Sequence, residues 1–89
     1  MNIKEAIEKA KEELGELTTL KINTVIGASK DEERGIWKVM VELLEKVAIP
    51  DSMDVLGTYE VLLTREGEIL GFVRKGMRKR GDMETVEGY

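Results

Sequence analysis

The sequence predicts an α+β domain, with one N-terminal helix packed on a four-stranded antiparallel sheet in meander order. Three observations carry that expectation. From Ile3 to Leu17 the apolar residues recur at spacings of three and four, the period of a helix with one buried face. Beyond Leu17 the period falls to two, in segments rich in Val, Ile, Thr and Trp, residues that favour strands. The breaks between those segments are short, and short connections join antiparallel neighbours.

The helix comes first. Ile3, Ala6, Ile7, Ala10, Leu14 and Leu17 form its stripe. Asn2 suits the N-cap, and Glu5 three residues later completes a capping box. Lys4–Glu8 and Glu5–Lys9 are spaced to pair on the outer face. Gly15 is expected to weaken or end the helix. An amphipathic helix must set its apolar stripe against something, and here only a sheet follows.

The first strand is read over residues 20–28, where Leu20, Ile22, Thr24 and Ile26 alternate with Lys21 and Asn23. Residues 29–35 are polar, acidic and end in Gly35, which reads as a hairpin loop. Over residues 36–47, Trp37, Val39, Val41 and Leu43 share one parity. Ile36, Lys38, Met40, Glu42 and Leu44 share the other. Leu, Glu and Lys leave a helix open over residues 39–46; the Trp, Val and Ile at the start favour a strand. Pro50 then breaks the chain, since it lacks an amide donor and holds Ile49 extended. A third strand is expected over residues 54–64, a turn around Gly67, and a fourth strand from Ile69 to about Arg80. Residues 1–80 make a single domain on this reading, and residues 81–89 a flexible C-terminal tail.

Eighty-nine residues, 42% of them hydrophobic, allow one domain with a thin core. Fourteen basic residues against 18 acidic ones give a net charge of −4, which disfavours binding of nucleic acid by the surface as a whole. There is no cysteine and no histidine. Disulfides, thiol chemistry and Cys/His zinc sites are therefore excluded. Residues 1–10 carry charges throughout and read as neither a signal peptide nor a membrane span. The expected location is cytoplasmic, with no membrane contact.

If Thr64 faces Glu68 across the last turn, then Leu63 faces Ile69, Val61 faces Gly71 and Tyr59 faces Val73, all on one side. On the other side Leu62 faces Leu70, Glu60 faces Phe72 and Thr58 faces Arg74. One helix covers one face of a sheet. The face with Val61, Leu63, Ile69 and Val73 suits the core. The face with Leu62, Leu70, Phe72 and Arg74 is then left either as a solvated surface or as a binding surface for a second copy or another protein. Trp37 and Tyr59 read as core residues, the Tyr59 hydroxyl seeking a partner near the sheet edge.

The chain offers little reactive chemistry. Glu42 with Glu45, and Asp51 with Asp54, are spaced as paired carboxylates, which elsewhere serve acid–base work or hold hard cations. No phosphate loop, nucleophile or positioned base accompanies them. They read as solvated or turn-forming charges, and no enzyme, metal or cofactor is expected. Arg74, Lys75, Arg78, Lys79 and Arg80 crowd the end of the last strand. Such a cluster is a solvated strand end, a grip for an acidic protein, or a phosphate-binding patch. Base stacking has only Phe72 to rely on, so nucleic acid is the weaker reading.

One ordered run is more specific than any of these. Gly35 and Trp37 are followed by Val39, Val41, Glu42 and Glu45, then by Ile49-Pro50-Asp51 and Asp54-Val55-Leu56. Tyr59-Glu60-Val61, Gly67-Glu68 and Arg74 with its basic neighbours complete it. The run resembles the gas vesicle protein O family over roughly residues 25–80. The resemblance implies a non-enzymatic accessory protein of gas vesicle assembly, associated with the vesicle. Its partners would be other accessory or shell proteins, or a second copy. The residues expected to bind protein are Leu62, Leu70, Phe72, Arg74 and Arg78.

Overall fold

A computed structural model describes residues 1–81; the tail expected over 81–89 lies, after Gly81, outside the described residues. Helix α1 spans Ile3–Leu17 and is followed by strands β1 (Lys21–Asp31), β2 (Ile36–Lys46), β3 (Val55–Thr64) and β4 (Ile69–Lys79). The strands form one antiparallel sheet in the order β1-β2-β3-β4. This is the predicted α+β meander, and residues 36–46 are strand.

The capping box forms as expected. The Asn2 Oδ1 accepts from the Glu5 N–H, and Glu5 Oε1 accepts from the Asn2 N–H, both at 2.8 Å. Each bond satisfies a donor that the first turn cannot. Gly15 does not end the helix, which continues to Leu17. Thr18 ends it: its N–H and its hydroxyl both donate to the Leu14 carbonyl, at 2.9 and 3.0 Å.

Ala6, Ala10 and Leu14 are the buried residues of α1. They meet Trp37, Val39, Val41, Leu43, Tyr59, Val61 and Leu63 in one cluster. The small alanines let the helix approach the sheet closely, so Leu14 is its one large anchor. α1 lies mainly over β1, less over β2 and β3. No residue of β4 is buried.

The sheet departs from simple alternation through bulges. Ile22 pairs with Leu43 but Thr24 with Glu42, and Val25 pairs with Val41 but Gly27 with Met40. Asn23 and Ile26 are the extra residues. Each bulge reverses the parity that follows it. Ile22, Val25 and Ala28 therefore pack on the core, whereas Ile26 is exposed, contrary to the even alternation read from the sequence. β1 also runs three residues beyond Ala28. Ser29, Lys30 and Asp31 pair with Lys38, Trp37 and Ile36, because an edge strand leaves polar side chains in water. The loop is thus shorter than the expected 29–35, and Gly35 closes it at a φ of 66°, a conformation that favours glycine. At the other end Asp54 precedes β3 and braces the connection instead of joining the strand.

Candidate interaction surface

Two bulges also lie on β4, and they overturn the expected register of the last hairpin. Leu63 does pair with Ile69, but Leu62 pairs with Gly71, Val61 with Phe72, Glu60 with Val73 and Tyr59 with Arg74. A second shift sets Thr58 against Gly76. Leu70 and Lys75 are the extra residues. The first slip carries Phe72 and Arg74 to the helix side of the sheet and Val73 to the other side. Leu62, Leu70, Phe72 and Arg74 therefore do not share one face.

On the helix side these residues build a small cluster around Tyr59, a member of the core. The Tyr59 and Phe72 rings lie 6.1 Å apart between centroids, tilted by 47°. The Tyr59 hydroxyl donates to Glu45 Oε2 at 2.5 Å, and Arg74 Nη1 stands 3.6 Å from the same oxygen. Glu45 is the extra residue of a bulge in β2, between the Leu44–Leu56 and Lys46–Val55 pairs. Its carboxylate lies over Gly57, where a Cβ would collide with it and push the Glu45 side chain aside.

The Tyr59 hydroxyl is held above its ordinary pKa of 10.0 by burial first, then by its hydrogen bond to Glu45 and the charge of that carboxylate, while Arg74 pulls it down. The folded state thus binds this proton more tightly than the unfolded chain. Its contribution to stability is complete below about pH 10 and is lost as pH rises through the folded value. Tyr59→Phe should flatten the alkaline decline of stability, followed by urea denaturation from about pH 9 to 11. An alkaline limb identical to that of the parent would show that Tyr59 does not govern it.

On the opposite face the acidic and basic residues singled out from the sequence find one another. Arg78 Nε and Nη2 each stand 3.1 Å from Glu42 Oε2. The Asn23 amide donates to Glu42 Oε1 at 2.9 Å. Arg80 Nε donates to Asp54 Oδ2 at 3.1 Å, and Arg80 Nη1 reaches Asn23 Oδ1 at 3.3 Å. Asp54 Oδ1 also accepts the Ala48 N–H at 2.7 Å. Glu42 and Asp54 are buried, so the reading of these carboxylates as solvated charges is corrected. Burial of a charge is tolerated when it is paired and hydrogen-bonded. Lys75 pairs with Glu60 at 3.7 Å across the strand. The basic end is therefore largely neutralised from within the chain.

Besides these basic residues, what remains open on β4 is mostly apolar. Leu70 is 56% exposed, Val73 51%, Met77 56% and Phe72 38%. Leu62 is half-buried on the face without a helix, beside Lys38 and Gly71. Sequence reasoning missed Val73 and Met77 as surface residues, and Asn23, Glu42, Glu45 and Asp54 as partners of the arginines. Glu42 carried a signal: a lone carboxylate amid Val39, Met40, Val41, Leu43 and Leu44 requires a cation on whichever face it occupies. The carboxylates of Glu12, Glu13 and Glu16 come within 4.8 Å of one another on α1, a spacing that helical neighbours reach without any ion. No helix among the described residues is long and apolar enough to cross a membrane.

Comparison with known proteins adds a family to this geometry. Residues 1–84 match the family model described as gas vesicle synthesis protein GvpO. The chain is 32% identical over 76 residues to gas vesicle protein O1 of Halobacterium salinarum, an overlap of 85% of this chain and 62% of that protein. It is 31% identical over 84 residues to gas vesicle protein O of Haloferax mediterranei, covering 94% of this chain and 59% of the relative. Gas vesicle protein O of a Streptomyces species is 36% identical over 69 residues, 78% of this chain and 52% of its own. These relatives are longer proteins, of which the chain spans little more than half. No solved structure matches.

Proposed function

Because this chain belongs to the gas vesicle synthesis protein GvpO family, we propose that it serves gas vesicle assembly as a non-enzymatic accessory protein that acts by binding protein. The observation that supports this reading is the open apolar surface of β4. Leu70, Phe72, Val73 and Met77 stand half-exposed on a strand with no buried residue. Interfaces place apolar and aromatic anchors at their centre and charges at their rim. Phe72 is the anchor on this reading, with Arg74 at the rim, Leu70 beside it, and Leu62 and Arg78 framing the opposite face. The partners on this reading are other gas vesicle accessory or shell proteins, or a second copy of the chain, in the cytoplasm. Nucleic acid is disfavoured, since Arg74, Arg78 and Arg80 face Glu45, Glu42 and Asp54.

The test is complementation of a vesicle-forming strain lacking the gene, scored by buoyancy and by capture of vesicle proteins on the tagged chain. Phe72→Ala should lower both more than Arg74→Ala does, because the ring loses desolvated area whereas a half-exposed charge is screened. Both variants should melt within a few degrees of the parent, an effect of about 1 kcal/mol or less in a domain of this size. Full complementation by Phe72→Ala would remove β4 as the binding surface.

A further inference from the structure

We propose that β4 pairs antiparallel with β4 of a second copy of this chain, about a two-fold axis at Val73, joining the two sheets into one. The proposal rests on the reading of β4 as a protein-binding surface and names its occupant. β4 is an edge strand, so the backbone donors and acceptors along one of its sides have no strand partner among the described residues. Such an edge is a template for another strand.

Charge selects both the occupant and the direction. The turn entering β4 exposes Glu66 and Glu68; the far end exposes Lys79, and Lys75 beside its partner Glu60. An antiparallel copy sets the acidic end of each strand against the basic end of the other. A parallel copy sets like against like. The opposite edge has no such polarity: β1 begins at Lys21 and carries Lys30 and Asp31 side by side at its end.

The bulges place the axis. Between Leu70 and Lys75 only residues 71–74 keep a regular register. A two-fold axis perpendicular to the sheet pairs residues that point to the same side. Centred on Val73, it sets Val73 against Val73 on one side and Phe72 against Arg74 on the other. The guanidinium of one copy then meets the ring of its mate, a favourable contact. Centred on Phe72, it would stack two rings beside Tyr59 and set Arg74 against the Leu70 bulge. The flanking bulges limit the ladder to a short stretch, which suits a reversible dimer.

The chain has no cysteine, which allows a clean test on the purified protein alone. Residues opposed across an antiparallel pair stand about 4.5–5.5 Å apart between Cα atoms, inside the range that a disulfide bridges. Val73→Cys should give a covalent dimer under mild oxidation, whereas Ile26→Cys on the other edge should not. In sedimentation velocity the parent should shift from monomer to dimer with concentration. Val73→Asp should weaken that association by at least about tenfold, because two carboxylates meet at the axis. Lys79→Glu should weaken it too, and adding Glu66→Lys should restore it. A parent that stays monomeric at every concentration, or cross-linking of Ile26→Cys as fast as Val73→Cys, would overturn the proposal. No vesicle component takes part, so either result leaves the complementation outcome for Phe72 standing.

Discussion

Arg78→Ala should cost about 3 kcal/mol of folding stability, more than any other single change at the charged end of β4. The Glu42 side chain is 5% exposed and that of Arg78 30% exposed. Removing the guanidinium takes both contacts from Glu42 Oε2 and leaves Asn23 alone to serve the other oxygen. A buried carboxylate that loses its cation retains the full cost of desolvation, which exceeds the net value of the intact pair. The double change Glu42→Leu with Arg78→Met should therefore be milder than Arg78→Ala, since it removes both charges and keeps the volume. Urea denaturation of the two variants decides the matter. If the double variant proves the less stable, the pair stabilises the fold outright and the argument from desolvation fails.

Leu14→Ala should cost about 2–5 kcal/mol, the range for leucines deleted from packed cores. The upper part of that range applies, because Leu14 is the one large side chain that α1 buries; Ala6 and Ala10 have little more than a methyl group to contribute. With Leu14 gone, α1 keeps its capping box but loses most of its grip on the sheet. Isolated helices of this length are marginal in water, so the loss should appear as reduced helical ellipticity before the sheet melts. Glu12→Ala is the control: its carboxylate is exposed and pairs with Lys9 at 3.5 Å on the helix surface. A Leu14→Ala variant as stable as Glu12→Ala would mean that the sheet stands without the helix.

The elements of this fold are legible in the sequence, and their faces only partly so. Asn2 and Glu5 announce the helix, Gly35 and Gly67 the two hairpin turns, and Trp37, Val39, Val41 and Leu43 the central core strand. Those signals are local, and each was met in the structure. The register of β4 was not legible, because a bulge is an extra residue with no sequence mark of its own. Leu70 looks like any other strand residue, yet it decides that Phe72 sits beside Tyr59 and that Val73 faces the other way. The same limit hid the ion pairs. Asn23 and Glu45 are bulge residues that reach charges on other strands. Arg80 meets Asn23 across 57 positions of sequence, a distance at which spacing carries no information. The family resemblance was legible for a different reason: it rests on the order of common residues and needs no register.

The contact between Arg80 and Asn23 joins the end of the sheet to its beginning, and it has a consequence for the chain while it is being made. Synthesis delivers α1 and the first three strands before β4. At that stage Glu42 and Asp54 are already in the chain, and the arginines that neutralise them are still to come. A nascent or truncated chain that stops before Arg78 therefore cannot bury those carboxylates without penalty. The first three strands should stay loosely packed until β4 has emerged, so that commitment to the native state waits on Arg78 and Arg80.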